Sequence, residues 1–231
     1  MYRALIAAVF AGLPLVAWAE APRPVVVELF TSQGCSSCPP ADRLLRGLAQ
    51  GRADVLPLAF HVTYWNRLGW VDPYSFDGAT ERQRGYERLS SIGGIYTPQA
   101  VVDGVQDVVG SDAPGLERAI RAAAARPVVV AVSAVRDAGG VAVSLGDGAG
   151  AGRVLVVGYD PEHVTKVGRG ENAGETLVEA NIVRGLMVAG EWRGVSARLH
   201  VTAPVGAALA VLVQGRDGRI LGAARVAGAG S

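Results

Sequence analysis

The sequence predicts an α/β layer with a sheet of mixed direction over its first half and a mainly antiparallel β region over its second. Three observations carry this. The β-branched and aromatic run Val25 to Phe30 passes through "TSQGCSSCPP" straight into apolar residues at helical spacing. A second apolar strand is followed by a hairpin dipeptide, Asp103-Gly104. After Pro127 the pattern changes to period-two alternation broken by Gly-rich and Asp-Gly turns.

Taken in order, the chain opens with Arg3, an apolar run from Ala4 to Trp18, and small residues at Ala17 and Ala19. That pattern reads as a signal peptide over residues 1–19, cleaved after Ala19. The run is shorter than the roughly 20 residues of a spanning helix. The expectation is therefore a periplasmic or secreted protein with no membrane span after cleavage. Removing Arg3 from the 22 basic residues leaves 21 against 21 acidic ones, so the mature chain has no electrostatic reason to bind nucleic acid.

Val25 to Phe30 reads as a strand, "ADRLLRGLAQ" from Ala41 as a helix, and Asp54 to Val62 as a second strand. "TPQAVVDGVQDVVGS" from Thr97 reads as two short strands, and Asp112 to Ala125 as a helix opened by a capping Asp or Ser and a Pro. Strand, helix, strand, insertion, hairpin, helix matches a thioredoxin-like α/β domain over residues 20–126, with an aromatic-rich insertion. Residues 127–231 form the β-rich C-terminal region. The charged stretch Asp160 to Glu175 reads as a long surface loop or as a cover for the active site.

Cys35 and Cys38 are the only cysteines. A disulfide between them closes too short a loop to matter as a staple, roughly 2 kcal/mol by chain entropy. Half the chain is apolar, so a core forms without one. At the first turn of a helix after a buried strand, however, unpaired N–H groups favour the thiolate. Cys35 is then the expected nucleophile and Cys38 the thiol that resolves the mixed disulfide. No charged residue lies between Thr31 and Ala41, so stabilisation must come from the helix end, from Ser36 and Ser37, or from groups distant in sequence. Pro39 and Pro40 suit a helix start, although the second should bend it. The competing reading is a metal site. With only His61, His163 and His200 besides the two thiols, zinc lacks ligands and Cu(I) remains the alternative.

Other candidates surround the pair. Thr97-Pro98, just before a strand, reads either as an ordinary trans proline opening that strand or, better suited to its position, as a cis peptide; in thioredoxin-like folds such a loop faces the cysteine pair and binds the partner chain. His61, at the end of the second strand, either tunes the thiolate or is hydrogen-bonded at a strand end. Residues 60 to 96 hold eight of the mature chain's rings, Tyr64 and Trp65 among them. These rings form either the insertion's own core or an apolar groove for an extended polypeptide. Glu28, the one charge in Val25 to Phe30, reads either as a desolvated base that takes the Cys38 proton or as a hydrogen-bonded bystander.

The strings "ELFTSQGCSSCPPAD", "AFHVTYWNRLGWVDP", "YTPQAVVDG" and, more weakly, "RGENAGETL" resemble the exported, thioredoxin-like proteins grouped as domain of unknown function 1223. The resemblance implies the fold and leaves the reaction open. The function expected from the residues is thiol:disulfide exchange through Cys35 and Cys38, with no cofactor and with a thiol- or disulfide-bearing polypeptide as partner. The alternative is a non-catalytic periplasmic binding protein that uses the same pocket for Cu(I) or an extended peptide.

Overall fold

The computed structural model describes residues 23–89 and 94–228. The expected signal peptide, residues 1–19, lies outside the described residues. The chain runs β1 (Val25–Thr31), α1 (Pro39–Gly51), β2 (Val55–His61), a 3₁₀ turn (Thr63–Leu68), α2 (Asp77–Leu89), the hairpin β3 (Gln99–Val102) and β4 (Gln106–Val109), and α3 (Ala113–Ala124). It continues through β5 (Val132–Asp137), β6 (Gly140–Leu145), β7 (Gly152–Lys166), β8 (Thr176–Trp192), β9 (Ala197–Val201), β10 (Ala208–Gly215) and β11 (Ile220–Arg225).

Eight strands form one mixed, mostly antiparallel sheet in the order β11-β10-β7-β8-β2-β1-β3-β4, and β5-β6-β9 form a second, small one. β1 is parallel to β2 and antiparallel to β3, so it is central and buried along its whole length. A continuous apolar run is what a strand covered on both faces requires. Its odd residues Val25, Val27 and Leu29 pack under α1 and α3, against Leu45, Leu116 and Ile120. Its even residues Val26 and Phe30 face α2 and pack with Phe60, Tyr86, Leu155 and Leu212. Beyond β8, the small sheet replaces the helices over Val154, Val156, Val211 and Trp192.

The local signals decide the local elements. Asp103 and Gly104 both take positive φ, 49° and 68°, which is the geometry a tight two-residue hairpin needs. Asp112 caps α3 by accepting from the Gly115 N–H at 3.0 Å. Pro39 and Pro40 occupy the first two positions of α1, where no N–H is required.

Two features depart from the sequence reading. Asp160 to Glu175 is not one long loop: β7 runs on to Lys166 and pairs with β8 as a two-stranded ribbon, leaving a turn from Val167 to Glu175. Charged side chains suit such a ribbon because water reaches it, and Asp160 is held there by Arg184 at 2.6 Å and His163 at 2.8 Å. The sheet also continues across the boundary at residue 127, because β8 lies beside β2, in register at Ala59 and Ile182. Pro57 lacks an N–H for a full ladder in that central strand. Asn181, with φ of 49°, instead donates its side-chain amide to the Pro57 carbonyl at 2.8 Å.

Candidate functional site

The C-terminal ends of β1 and β2 place the cysteine turn at one edge of the sheet. The turn is tightly bonded to itself: the Cys35 N–H donates to the Ser32 carbonyl at 3.1 Å and the Cys38 N–H to the Cys35 carbonyl at 3.2 Å. Cys38 is the N-cap of α1, and its carbonyl accepts from both Ala41 and Asp42. The two cysteines form a disulfide, and both are fully buried.

Thr97 and Pro98 stand against this turn. The Thr97-Pro98 bond is cis, as the sequence reading expects. Trp65 donates its indole N–H to the Thr97 hydroxyl at 2.7 Å, and that hydroxyl donates in turn to Cys35 Sγ at 3.4 Å. Ser37 Oγ lies 3.3 Å from the same sulfur. The hydroxyls thus converge on Cys35 and single it out from its partner.

The insertion's rings divide between core and frame. Tyr64, Trp65 and Phe76 pack against the α2 face of the core. Tyr64 also reaches Gln83 at 3.3 Å, and Trp70 donates to Gln33 Oε1 at 3.1 Å. The rings therefore hold the site in place, and Tyr64 and Trp65 are themselves half-buried.

Beneath the turn lies a buried acid cluster that the sequence reading touches at only one residue. His61 Nδ1 bonds Asp72 at 2.8 Å, and the same carboxylate oxygen accepts the Gln33 N–H at 2.8 Å. Gln33 Nε2 donates to Glu179 at 2.7 Å, tying β8 to the cysteine turn. Burial alone would lower the His61 pKa, but the carboxylates of Asp72 and Glu179 overturn this and raise it to about 9. His61 is therefore an imidazolium at neutral pH, bonded at its strand end and also part of a charged cluster.

Asp42 completes the cluster. It sits four residues after Cys38 on the same face of α1, is nearly fully buried, and accepts from the Thr31 hydroxyl at 2.8 Å. Burial and the nearby charge of Glu179 push its pKa up to about 7, against the opposing pull of His61 and Thr31. Asp42, Glu179 and Pro39 line a groove of about 370 Å³ between α1 and β8, which links the cluster to solvent. A carboxyl that titrates near neutrality, one helical turn from Cys38, has the acidity suited to exchanging a proton at neutral pH.

Glu28 has different partners from those expected for a base at the cysteine turn. It points to the α2 face of β1, where Arg82 binds both its oxygens and the Tyr86 hydroxyl donates to Oε1 at 2.7 Å. The Arg82 guanidinium also stacks over the Phe60 and Tyr86 rings. Breaking such a pair strands a buried charge at a cost of about 3–5 kcal/mol. Arg82→Met is accordingly expected to lower the free energy of unfolding, read by urea denaturation, by that order, and a change within experimental error would show that Glu28 needs no counter-charge.

Among the described residues, no group of three or more His, Cys, Asp and Glu side chains is arranged to hold a metal ion, and no helix is long and apolar enough to cross a membrane.

Comparison with known proteins agrees with this architecture. The family described as "Protein of unknown function (DUF1223)" matches residues 26–214. The crystal structure of a protein from Agrobacterium tumefaciens is similar at 34% identity, over 92% of this chain and 98% of that one, with a TM-score of 0.80. HBP35 of Porphyromonas gingivalis is similar in fold alone, at 10% identity over 91% of this chain and 78% of that one, with a TM-score of 0.55. No curated protein matches the chain significantly.

Proposed function

The chain belongs to the DUF1223 family, and from that premise we propose that it is an exported, thioredoxin-like thiol:disulfide exchange protein working through Cys35 and Cys38. The observation that carries this reading is the relay from Trp65 through the Thr97 hydroxyl to Cys35 Sγ. Hydroxyl donors aimed at one sulfur of a pair lower the cost of negative charge on that sulfur.

In the reducing direction, the Cys35 thiolate attacks one sulfur of a client disulfide. A bond forms between Cys35 Sγ and that sulfur, and the other client sulfur leaves as a thiolate. Cys38 then gives its proton to the Asp42 carboxylate and attacks Cys35 Sγ. The Cys35–Cys38 disulfide forms, and the second client thiolate departs. The oxidising direction is the same sequence in reverse. The Thr97-Pro98 segment and the half-buried rings of Tyr64 and Trp65 bound the place where the client chain lies. The groove between α1 and β8 carries the Asp42 proton to solvent.

Incubation of the reduced protein with oxidised glutathione, followed by thiol counting in denaturant, tests the reading. The expected result is loss of both thiols per chain and formation of the intramolecular disulfide through a glutathione-bearing intermediate. Retention of both thiols under conditions that oxidise dithiothreitol would leave a non-catalytic binding protein as the better description.

A further inference from the structure

The turn between β7 and β8 reaches back across 135 residues to the cysteine turn. Glu171 Oε2 accepts from the Ser36 N–H at 3.0 Å and from the Ser36 hydroxyl at 2.7 Å. Asn172 is buried, and its side-chain amide donates to the carbonyls of Gln33 at 2.9 Å and Cys35 at 3.0 Å. The turn braces itself through Gly174 to Val167 and Ala173 to Gly170 backbone bonds, while Glu171 itself is exposed.

Donors at the start of α1 are scarce. Pro39 and Pro40 have no N–H, and those of Ala41 and Asp42 serve the Cys38 carbonyl. The N–H groups of Gln33, Gly34 and Cys35 are committed to Asp72 and Ser32. The Ser36 N–H is adjacent to Cys35 and oriented toward an anion, and the anion it holds is Glu171.

We propose that Glu171 competes with the Cys35 thiolate of the reduced protein for the Ser36 N–H and thereby restrains Cys35 until an incoming polypeptide displaces the β7–β8 turn. This rests on the reading that Cys35 is the attacking sulfur. Glu171 acts through the turn and is a positioning residue, with Asn172 as its anchor. The other charged groups around the turn, Asp42 on α1, His61 on β2, Asp72 after the 3₁₀ turn and Glu179 on β8, remain when Glu171 is changed.

The test uses Cys38→Ala protein, reduced, with and without Glu171→Gln, and follows alkylation of Cys35 by uncharged iodoacetamide against pH. One exposed, partly screened charge held on the residue next to Cys35 is expected to change the thiolate fraction below its midpoint by about three- to ten-fold. Glu171→Gln is thus expected to move the midpoint down by about half to one pH unit. Asn172→Ala is expected to shift it in the same direction and to add little to Glu171→Gln. An unmoved midpoint in Glu171→Gln overturns the proposal. So does a higher plateau rate with the midpoint unchanged, which marks a turn that only shields. Alkylation involves no client, so a failure of the exchange reading shows separately in the glutathione assay.

Discussion

Cys38→Ala is expected to turn the protein into a trap that accumulates mixed disulfides on Cys35, whereas Cys35→Ala should accumulate almost none. The asymmetry follows from the surroundings of the two sulfurs. Cys35 Sγ receives the Thr97 hydroxyl and lies beside Ser37, while Cys38 caps α1 with its carbonyl turned into the helix. A thiol at a helix N-terminus with hydroxyl donors on its sulfur is more readily ionised than an ordinary one, so more of it is thiolate near pH 6. Iodoacetamide should therefore label the Cys38→Ala protein several-fold faster than the Cys35→Ala protein at that pH, the gain in thiolate outweighing the lower intrinsic nucleophilicity of a more acidic thiol. Equal rates would remove the distinction between attacking and resolving sulfur.

Asp42→Asn is expected to slow release of the mixed disulfide by about 10²- to 10⁴-fold, the usual worth of a positioned base, while leaving the first attack by Cys35 nearly unchanged. Asparagine keeps an oxygen for the Thr31 hydroxyl, so the geometry of α1 survives. Stopped-flow separation of the two steps decides the matter, and a wild-type release rate would take Asp42 out of the mechanism. The same variant should also alter stability. Folded Asp42 titrates at about 7 against an ordinary 3.8, so between those values the folded chain holds a proton that the unfolded chain has lost. Wild-type stability therefore falls as pH rises through that window, and the contribution is gone above about 7. At roughly 1.36 kcal/mol per unit, the neutral amide should make the variant more stable than wild type at pH 8 by up to a few kcal/mol. Chemical denaturation at pH 5 and pH 8 reads that difference directly.

The parts of the molecule legible in the sequence are those fixed by short-range chemistry. Val25 to Phe30 announces a two-faced central strand, Asp103-Gly104 a hairpin, Asp112 a cap, and Thr97-Pro98 a cis bond at the cysteine turn. The missed residues owe their roles to long-range pairing. Asp42 lies one residue past the charge-free stretch from Thr31 to Ala41, although its position four residues after Cys38 marks it as sharing that residue's helical face. Glu179 and Asn172 reach the site only because β8 lies next to β2, and a single-point register across some 120 residues leaves no periodic trace. Glu28 reads either as a desolvated base or as a hydrogen-bonded bystander until α2 brings Arg82 to it. The charged run from Asp160 looks like a loop because a solvated ribbon lacks the apolar alternation of a half-buried strand.

The place of β8 beside β2 bears on how the chain comes to be folded. Strands 1 to 4 and their helices can collapse from nearby segments, but β2 gains its second neighbour only when residues 176–192 return to it. Closing so large a span costs chain entropy before any contact repays it, which makes such pairings slow and late. A chain that emerges N-terminus first thus has its cysteines in the open well before Glu171, Asn172 and Glu179 arrive. During that interval the nascent protein is itself open to any oxidant around it, and the pairing that seats β8 is also the step that encloses the cysteine turn.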